Sequence, residues 1–192
     1  MAYDVVAVLD DAGIKEADYL GYSMGAWIGY NLIHHHPSRF TSFILGGMSP
    51  YPFNLDESPI FSFLKGLLKL GSEGGPTASI AWVEDLDGES MVEYRRKEYH
   101  MMNFKSLAQL YKMMSREIAT GTAYEPVETP CLIIVGECDE FHNGVKRASE
   151  TLPNAEFVSI IGKDHIQTFG ESSTIISHIT KFLCKGEDLQ AS

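Results

Sequence analysis

The residues best suited to chemistry lie near the start of the chain, where residues 21–25 read Gly-Tyr-Ser-Met-Gly and follow the pattern G-x-S-x-G. In this pattern a serine lies on a strained turn between a strand and a helix, with its hydroxyl exposed for nucleophilic attack. Residues 18–22 predict the strand, and the apolar run 24–36 predicts the helix. Both outer positions are expected to be glycine because a sharp elbow leaves its neighbours no room for side chains. Ser23 is therefore the candidate nucleophile, against the alternative of a chance match in a glycine-containing turn.

Chemical partners for this serine follow two apolar segments later in the chain. A serine hydroxyl is a weak nucleophile until an imidazole takes its proton, and the imidazole needs a carboxylate to fix its tautomer. Residues 130–135 form a continuous apolar run, typical of a strand buried on both faces, and Asp139 lies just past its carboxyl end. Residues 156–161 predict another strand, which places His165 in the loop that follows it.

A second carboxylate, Asp164, directly precedes His165 and is the rival acid. Neighbouring side chains in an extended loop point apart, so we prefer Asp139 as the group that orients the imidazole. The carboxyl ends of parallel strands meet at one edge of a sheet, where such folds place their sites. The chain order Ser, Asp, His therefore predicts that these three side chains converge at that edge.

On this motif and chain order, residues 3–183 resemble the α/β-hydrolase superfamily, specifically its capped, esterase-like branch. The resemblance implies Ser23 as nucleophile, Asp139 as triad acid and His165 as general base, with the backbone N–H of Met24 as one oxyanion donor. It also implies an α/β fold, here a truncated α/β-hydrolase fold with about four parallel strands, flanking helices and an inserted helical cap.

The sequence departs from this family before the elbow. Full-length members have four strands there, and the loop after the third supplies the second oxyanion donor, whereas this chain offers one short helix over residues 3–12. Two interpretations stay open: a fragment of a longer hydrolase gene, or a naturally reduced hydrolase. The elbow strand would be left on an open edge, so we expect a homodimer in which a second copy completes the core.

The helical patterns divide the chain into three parts. We place the first part of the hydrolase core at residues 1–49, a helical cap insertion at 50–125 and the second part of the core at 126–192. The insertion is rich in methionine and aromatic residues, which suit an adaptable apolar surface over a pocket or ordinary packing inside the insertion. Its predicted helices are 61–70, ended by Gly71, then 77–86, 91–102 and 103–119.

Composition excludes several classes of function. The 192 residues carry 15 basic and 26 acidic side chains, a formal net charge of −11, whereas binding to nucleic acid or to an anionic membrane surface needs a basic footprint. The odd number of cysteines, three, indicates reduced thiols and a cytoplasmic protein. No apolar run approaches the length of a membrane span, and no export signal is recognised at the start.

No metal or cofactor is predicted. The three consecutive histidines 34–36 lie at a helix end, where they point in different directions and interact favourably with the helix dipole. Residues 71–75 lack the Lys-Ser/Thr pair and the preceding strand of a phosphate-binding loop.

Together these features predict a serine hydrolase. It would cleave a small or medium-sized carboxylic ester, thioester or lactone through an acyl-enzyme on Ser23, which water activated by His165 resolves. The alternative is a hydrolase-like binding protein that keeps the elbow but has weak or no turnover. Removing one oxyanion donor costs about two to three orders of magnitude in turnover, which is the reason to keep this alternative.

Overall fold

A parallel sheet forms the centre of the computed structural model, which describes residues 1–88, 91–121 and 127–190. The sheet has four strands in the order in which they occur along the chain, and every neighbouring pair is parallel. This confirms the predicted fold class. The strands are β1 (Ala17–Tyr22), β2 (Phe40–Gly46), β3 (Cys131–Gly136) and β4 (Ala155–Ile160).

The burial of the strands follows their composition. All six residues of β3, the most continuous apolar run, are buried, as expected for an inner strand covered on both faces. β1 and β4 are the two edge strands, and in each of them only one of the six residues is buried. Because all four strands are parallel, their carboxyl ends lie at the same edge of the sheet, which is where β1 leads into the G-x-S-x-G turn.

Among the described residues, five α-helices belong to the same compact part of the chain as the sheet. The first ends at a glycine: Gly13 has a positive φ of 68°, and the next N–H, that of Ile14, donates to the carbonyl of Leu9. The helix that follows the elbow packs on the first two strands. The five helices are α1 (Ala2–Asp11), α2 (Met24–His35) and, after the insertion, α6 (His142–Thr151), α7 (His165–Gly170) and α8 (Ser172–Gln190).

The last helix covers only part of one sheet face. Phe182 of α8 forms an apolar cluster with side chains of β2, β3 and β4, among them Ile44 and Leu132. Leu20 of β1 pairs with Ile44 in register, so the two side chains share that face. Ile44 is 4% exposed and Leu20 is 60% exposed, so the coverage stops short of the edge strand β1.

The insertion between β2 and β3 is helical, as predicted, but its first helix ends elsewhere. The three helices are α3 (Pro59–Asp87), α4 (Glu93–Met101) and α5 (Phe104–Thr120). Gly71 does not end the first of them: the helix continues to a kink at Gly75, where φ is 75°, followed by Pro76. A Cβ at Gly71 would collide with the ring of Phe104, so this glycine allows α5 to approach α3 closely.

A core of its own holds the insertion together. Tyr99 and Phe104 pack with apolar side chains of α3, and Trp82 and Met91 pack against this cluster. Several of the aromatic and methionine residues in which the insertion is rich therefore pack inside the insertion itself. Others are exposed, including Met101 and Tyr94.

The chain divides into two compact units, Met1–Tyr51 with Thr122–Ser192, and Pro52–Gly121. We call them the sheet unit and the helical unit. The sequence placed the first boundary between residues 49 and 50. The second predicted boundary, between residues 125 and 126, lies outside the described residues.

Candidate active site

The elbow at Ser23 has the strained backbone that its sequence pattern predicts. Ser23 adopts φ 54° and ψ −114° and is the one non-glycine residue with a positive φ in the part of the chain that the structure describes. Holding a residue in such a conformation costs about 1 to 3 kcal/mol, so the surroundings must enforce it. The N–H of Ser23 donates to the carbonyl of Gly46 at the end of β2, over 2.8 Å, and its own carbonyl accepts from Trp27 in α2.

The two glycines of the motif have different surroundings. A Cβ on Gly21 would lie 2.5 Å from the carbonyl oxygen of Gly25 and 2.9 Å from the nitrogen of Ala26, so the start of α2 leaves no room for one. A Cβ on Gly25 would meet nothing within 4 Å. The steric reason predicted for both glycines therefore holds for Gly21 and is wrong for Gly25.

The structure brings the three predicted side chains into one hydrogen-bonded line. The Oγ of Ser23 lies 3.0 Å from Nε2 of His165, and the Nδ1 of that ring lies 2.9 Å from Oδ2 of Asp139. Asp139 and His165 are each 5% exposed. In this arrangement the imidazole can accept the serine proton on Nε2, while Nδ1–H donates to the carboxylate and fixes the tautomer.

Asp139 is held in its orientation by the turn in which it lies. Its second carboxylate oxygen, Oδ1, accepts a 3.0 Å hydrogen bond from the backbone N–H of Phe141, so both oxygens of this buried group have partners. The ring of Phe141 meets the His165 ring edge to face, with centroids 5.7 Å apart. The turn after β3 therefore supplies both the carboxylate and an apolar wall for the imidazole.

Asp164 caps a helix and does not bind the imidazole. This helix contradicts one prediction from the sequence. His165 was predicted in a loop, but it is the first residue of α7. Asp164 caps this helix: its Oδ1 accepts from the N–H of Gln167 at 2.8 Å, and the Gln167 side chain accepts from the N–H of Asp164 at 3.3 Å. The spacing of this capping box, Asp then Gln three residues later, was present in the sequence and could have predicted the helix.

Tyr22 contacts the site without having been predicted from the sequence. Its hydroxyl donates to the backbone carbonyl of His165 at 2.7 Å, and its ring lies 5.2 Å from the His165 ring, centroid to centroid. Burial, and then the negative charge of Asp139, raise the pKa of the Tyr22 hydroxyl, so it stays a neutral donor. No sequence signal identifies this contact, because the two residues are 143 positions apart.

The backbone N–H of Met24 lies at the start of α2. Met24 is the first residue of α2, and the first N–H groups of a helix have no acceptor within it. Such groups at a helix start favour negative charge. The position is that of the oxyanion donor implied by the family resemblance.

Among residues 1–88, 91–121 and 127–190, no group of three or more His, Cys, Asp or Glu side chains is placed to hold a metal ion. A cavity of about 540 Å³ lies at the amino ends of β1 and β2, lined by residues such as Glu16 and Thr41, at the opposite end of these strands from Ser23. His142 forms a hydrogen bond with Ser159 at 3.1 Å. Within the described ranges, no helix is both long enough and apolar enough to span a membrane.

Solved structures superpose on most of this chain, and several of them are named as esterases or hydrolases. A marine microorganism esterase superposes with a TM-score of 0.70 at 16% identity, covering 94% of this chain and 75% of its own. The enol-lactonase from Burkholderia xenovorans gives 0.71 at 17% identity, covering 95% and 71%. MenH from S. aureus gives 0.67 at 20% identity, covering 97% and 74%. Neither protein-family profiles nor curated protein sequences give a match.

Proposed function

We propose that this chain, which has the α/β-hydrolase fold, is a serine hydrolase. Its substrate would be a carboxylic ester, a thioester or a lactone. The observation that carries the proposal is the hydrogen-bonded line from Ser23 through His165 to Asp139, with the serine on a strained elbow. The names of two structural neighbours, an esterase and an enol-lactonase, support this substrate class.

The geometry fits acyl transfer through a covalent intermediate. As Oγ of Ser23 attacks the substrate carbonyl carbon, Nε2 of His165 takes the hydroxyl proton, and the N–H of Met24 donates to the oxyanion that forms. The protonated imidazole then gives its proton to the leaving oxygen or sulfur, and an acyl-Ser23 ester remains. Water, deprotonated by His165, attacks this ester and releases the acid.

A fluorophosphonate probe tests the nucleophile directly. We expect it to label wild-type protein on Ser23 and to leave Ser23→Ala unlabelled, with labelling of Asp139→Asn slowed by about two to four orders of magnitude because the imidazole loses its orienting acceptor. Mass spectrometry of the labelled peptide gives the site.

The chain offers a matched control in its second serine–histidine pair. Ser159 lies 3.1 Å from Nε2 of His142, close to the 3.0 Å of the candidate pair, but at a different place in the sheet unit. Ser159→Ala should be labelled at the wild-type rate. A folded wild-type protein that takes up no label, or takes it up equally in Ser23→Ala, would contradict the proposal.

Turnover separates the hydrolase from the binding protein that the sequence leaves open. We expect hydrolysis of short-chain aryl esters or of a simple lactone above the rate of Ser23→Ala. Labelling of Ser23 without such hydrolysis would favour a hydrolase-like binding protein whose site is assembled but does not turn over.

A further inference from the structure

Tyr22 links the elbow to the helix that carries the candidate base. It directly precedes Ser23, and its hydroxyl donates a 2.7 Å hydrogen bond to the main-chain carbonyl of His165 at the start of α7. Ser23 and His165 come from distant parts of the chain, so their separation depends on contacts that fix one segment against the other. Tyr22 makes such a contact from the residue next to the nucleophile.

The ring of Tyr22 is held in one place by its neighbours. A Cβ on Gly46 would lie 2.5 Å from Cδ2 of this ring, and a Cβ on Gly47 would lie 2.6 Å from its Cζ, so the ring occupies space that two glycines leave free. On another side the ring of Phe169 lies 5.4 Å away, centroid to centroid. The hydroxyl therefore reaches the carbonyl from a fixed ring.

The other contacts of His165 do not replace this link. Asp139 holds the ring at Nδ1, and Asp164 caps α7 from within its own segment. Neither one connects the main chain of His165 to the elbow.

We propose that Tyr22 is a positioning residue, which keeps His165 within hydrogen-bond distance of Ser23 by tying the main chain of α7 to the elbow. The catalytic consequence rests on the proposed hydrolase function, whereas the effect on the imidazole does not. A small displacement of a reacting group lowers the rate of a step that needs near-contact geometry.

The test compares two tyrosines of the same strand. Tyr22→Phe keeps the ring and removes the bond to His165. Tyr19→Phe removes an equally short bond, 2.7 Å from the Tyr19 hydroxyl to the carbonyl of Gly25, that does not involve His165. The two variants lose the same kind of hydrogen bond, so a general effect on stability should be similar in both.

The first readout is independent of turnover. In protein labelled with ¹⁵N-histidine, the ring nitrogen shifts of His165, assigned by their absence in His165→Gln, report its protonation and hydrogen bonding. We expect these signals to shift or broaden in Tyr22→Phe and to coincide with wild type in Tyr19→Phe. Unchanged His165 signals in Tyr22→Phe, or equal changes in both variants, would overturn the proposal.

The second readout is kinetic. We expect kcat for an aryl ester to fall about five- to tenfold in Tyr22→Phe with KM unchanged, since one hydrogen bond is worth about 1 kcal/mol and 1.36 kcal/mol corresponds to tenfold in rate. A fall in Tyr19→Phe of the same size would count against a specific role. If wild type itself neither labels nor turns over, the proposed function fails, while the histidine spectra still decide whether Tyr22 positions His165.

Discussion

Gly21 and Gly25 flank the candidate nucleophile in a symmetrical motif, but they experience different constraints. The side-chain position of Gly21 is filled by the backbone at the start of α2, and that of Gly25 is open. The sequence motif shows that both residues are glycine, but it does not show that their surroundings differ. The steric requirement of each one follows from how β1 and α2 pack together.

This difference gives a prediction for a pair of variants. Gly21→Ala should lower the melting temperature by several degrees or prevent folding, because its Cβ would lie 2.5 Å from the carbonyl oxygen of Gly25. Gly25→Ala lies within α2 and should keep or slightly raise the melting temperature, since alanine in a helix is favoured over glycine by about 1 kcal/mol. Thermal unfolding followed by circular dichroism measures both. Equal losses would contradict the assignment of the close contact to Gly21 alone.

At the scale of elements, the two aspartates near His165 have separate tasks because of where their helices and turns begin. Asp139 lies in the turn after β3 with both carboxylate oxygens bonded inside the site. Asp164 is exposed and serves as the N-cap of α7. In the proposed reaction the first task serves the chemistry, and the second stabilises the helix that presents the imidazole.

Substitution of each aspartate should therefore change a different measurement. Asp164→Ala should destabilise the protein by about 1 kcal/mol, the usual cost of losing a cap, and reduce fluorophosphonate labelling far less than Asp139→Asn does. Urea unfolding and labelling rates, measured on both variants, distinguish the two effects. If Asp164→Ala slowed labelling as severely as Asp139→Asn, the choice of Asp139 as the acid would be wrong.

At the scale of the whole molecule, the outer edge of β1 is the exposed edge of the sheet unit that concerns association. β1 pairs with β2 on one side and, within the described residues, with no strand on the other. Leu20 stays 60% exposed on the face where α8 covers its neighbours. An open strand edge beside uncovered apolar surface favours association.

We therefore keep the homodimer as a prediction. Sedimentation at micromolar concentration should show a dimer, and Leu20→Glu should shift the protein towards monomer by placing a charge on the exposed face of β1. Glu156→Gln, on the opposite edge strand, is the control and should leave the association unchanged, although it removes an ion pair with Lys185. A stable wild-type monomer would show that the sheet unit needs no second copy.

Local sequence patterns were enough to predict several features of this protein. The sequence indicated strands at residues 18–22, 130–135 and 156–161, and the G-x-S-x-G turn predicted the strained backbone at Ser23, because both arise from neighbours along the chain. Since parallel strands end at one edge, the order of Ser23, Asp139 and His165 was enough to predict that they meet.

The features that join distant segments of the chain follow from the folded structure and not from local sequence patterns. The link from Tyr22 to His165, the room for that ring above Gly46 and Gly47, and the role of Gly71 beneath Phe104 all depend on contacts between elements. The sequence already favoured Asp139 over Asp164 as the partner of the imidazole, and the folded structure adds that Asp164 caps α7. Local sequence patterns indicate which backbone conformation a residue favours, whereas packing between elements determines which distant residues it contacts.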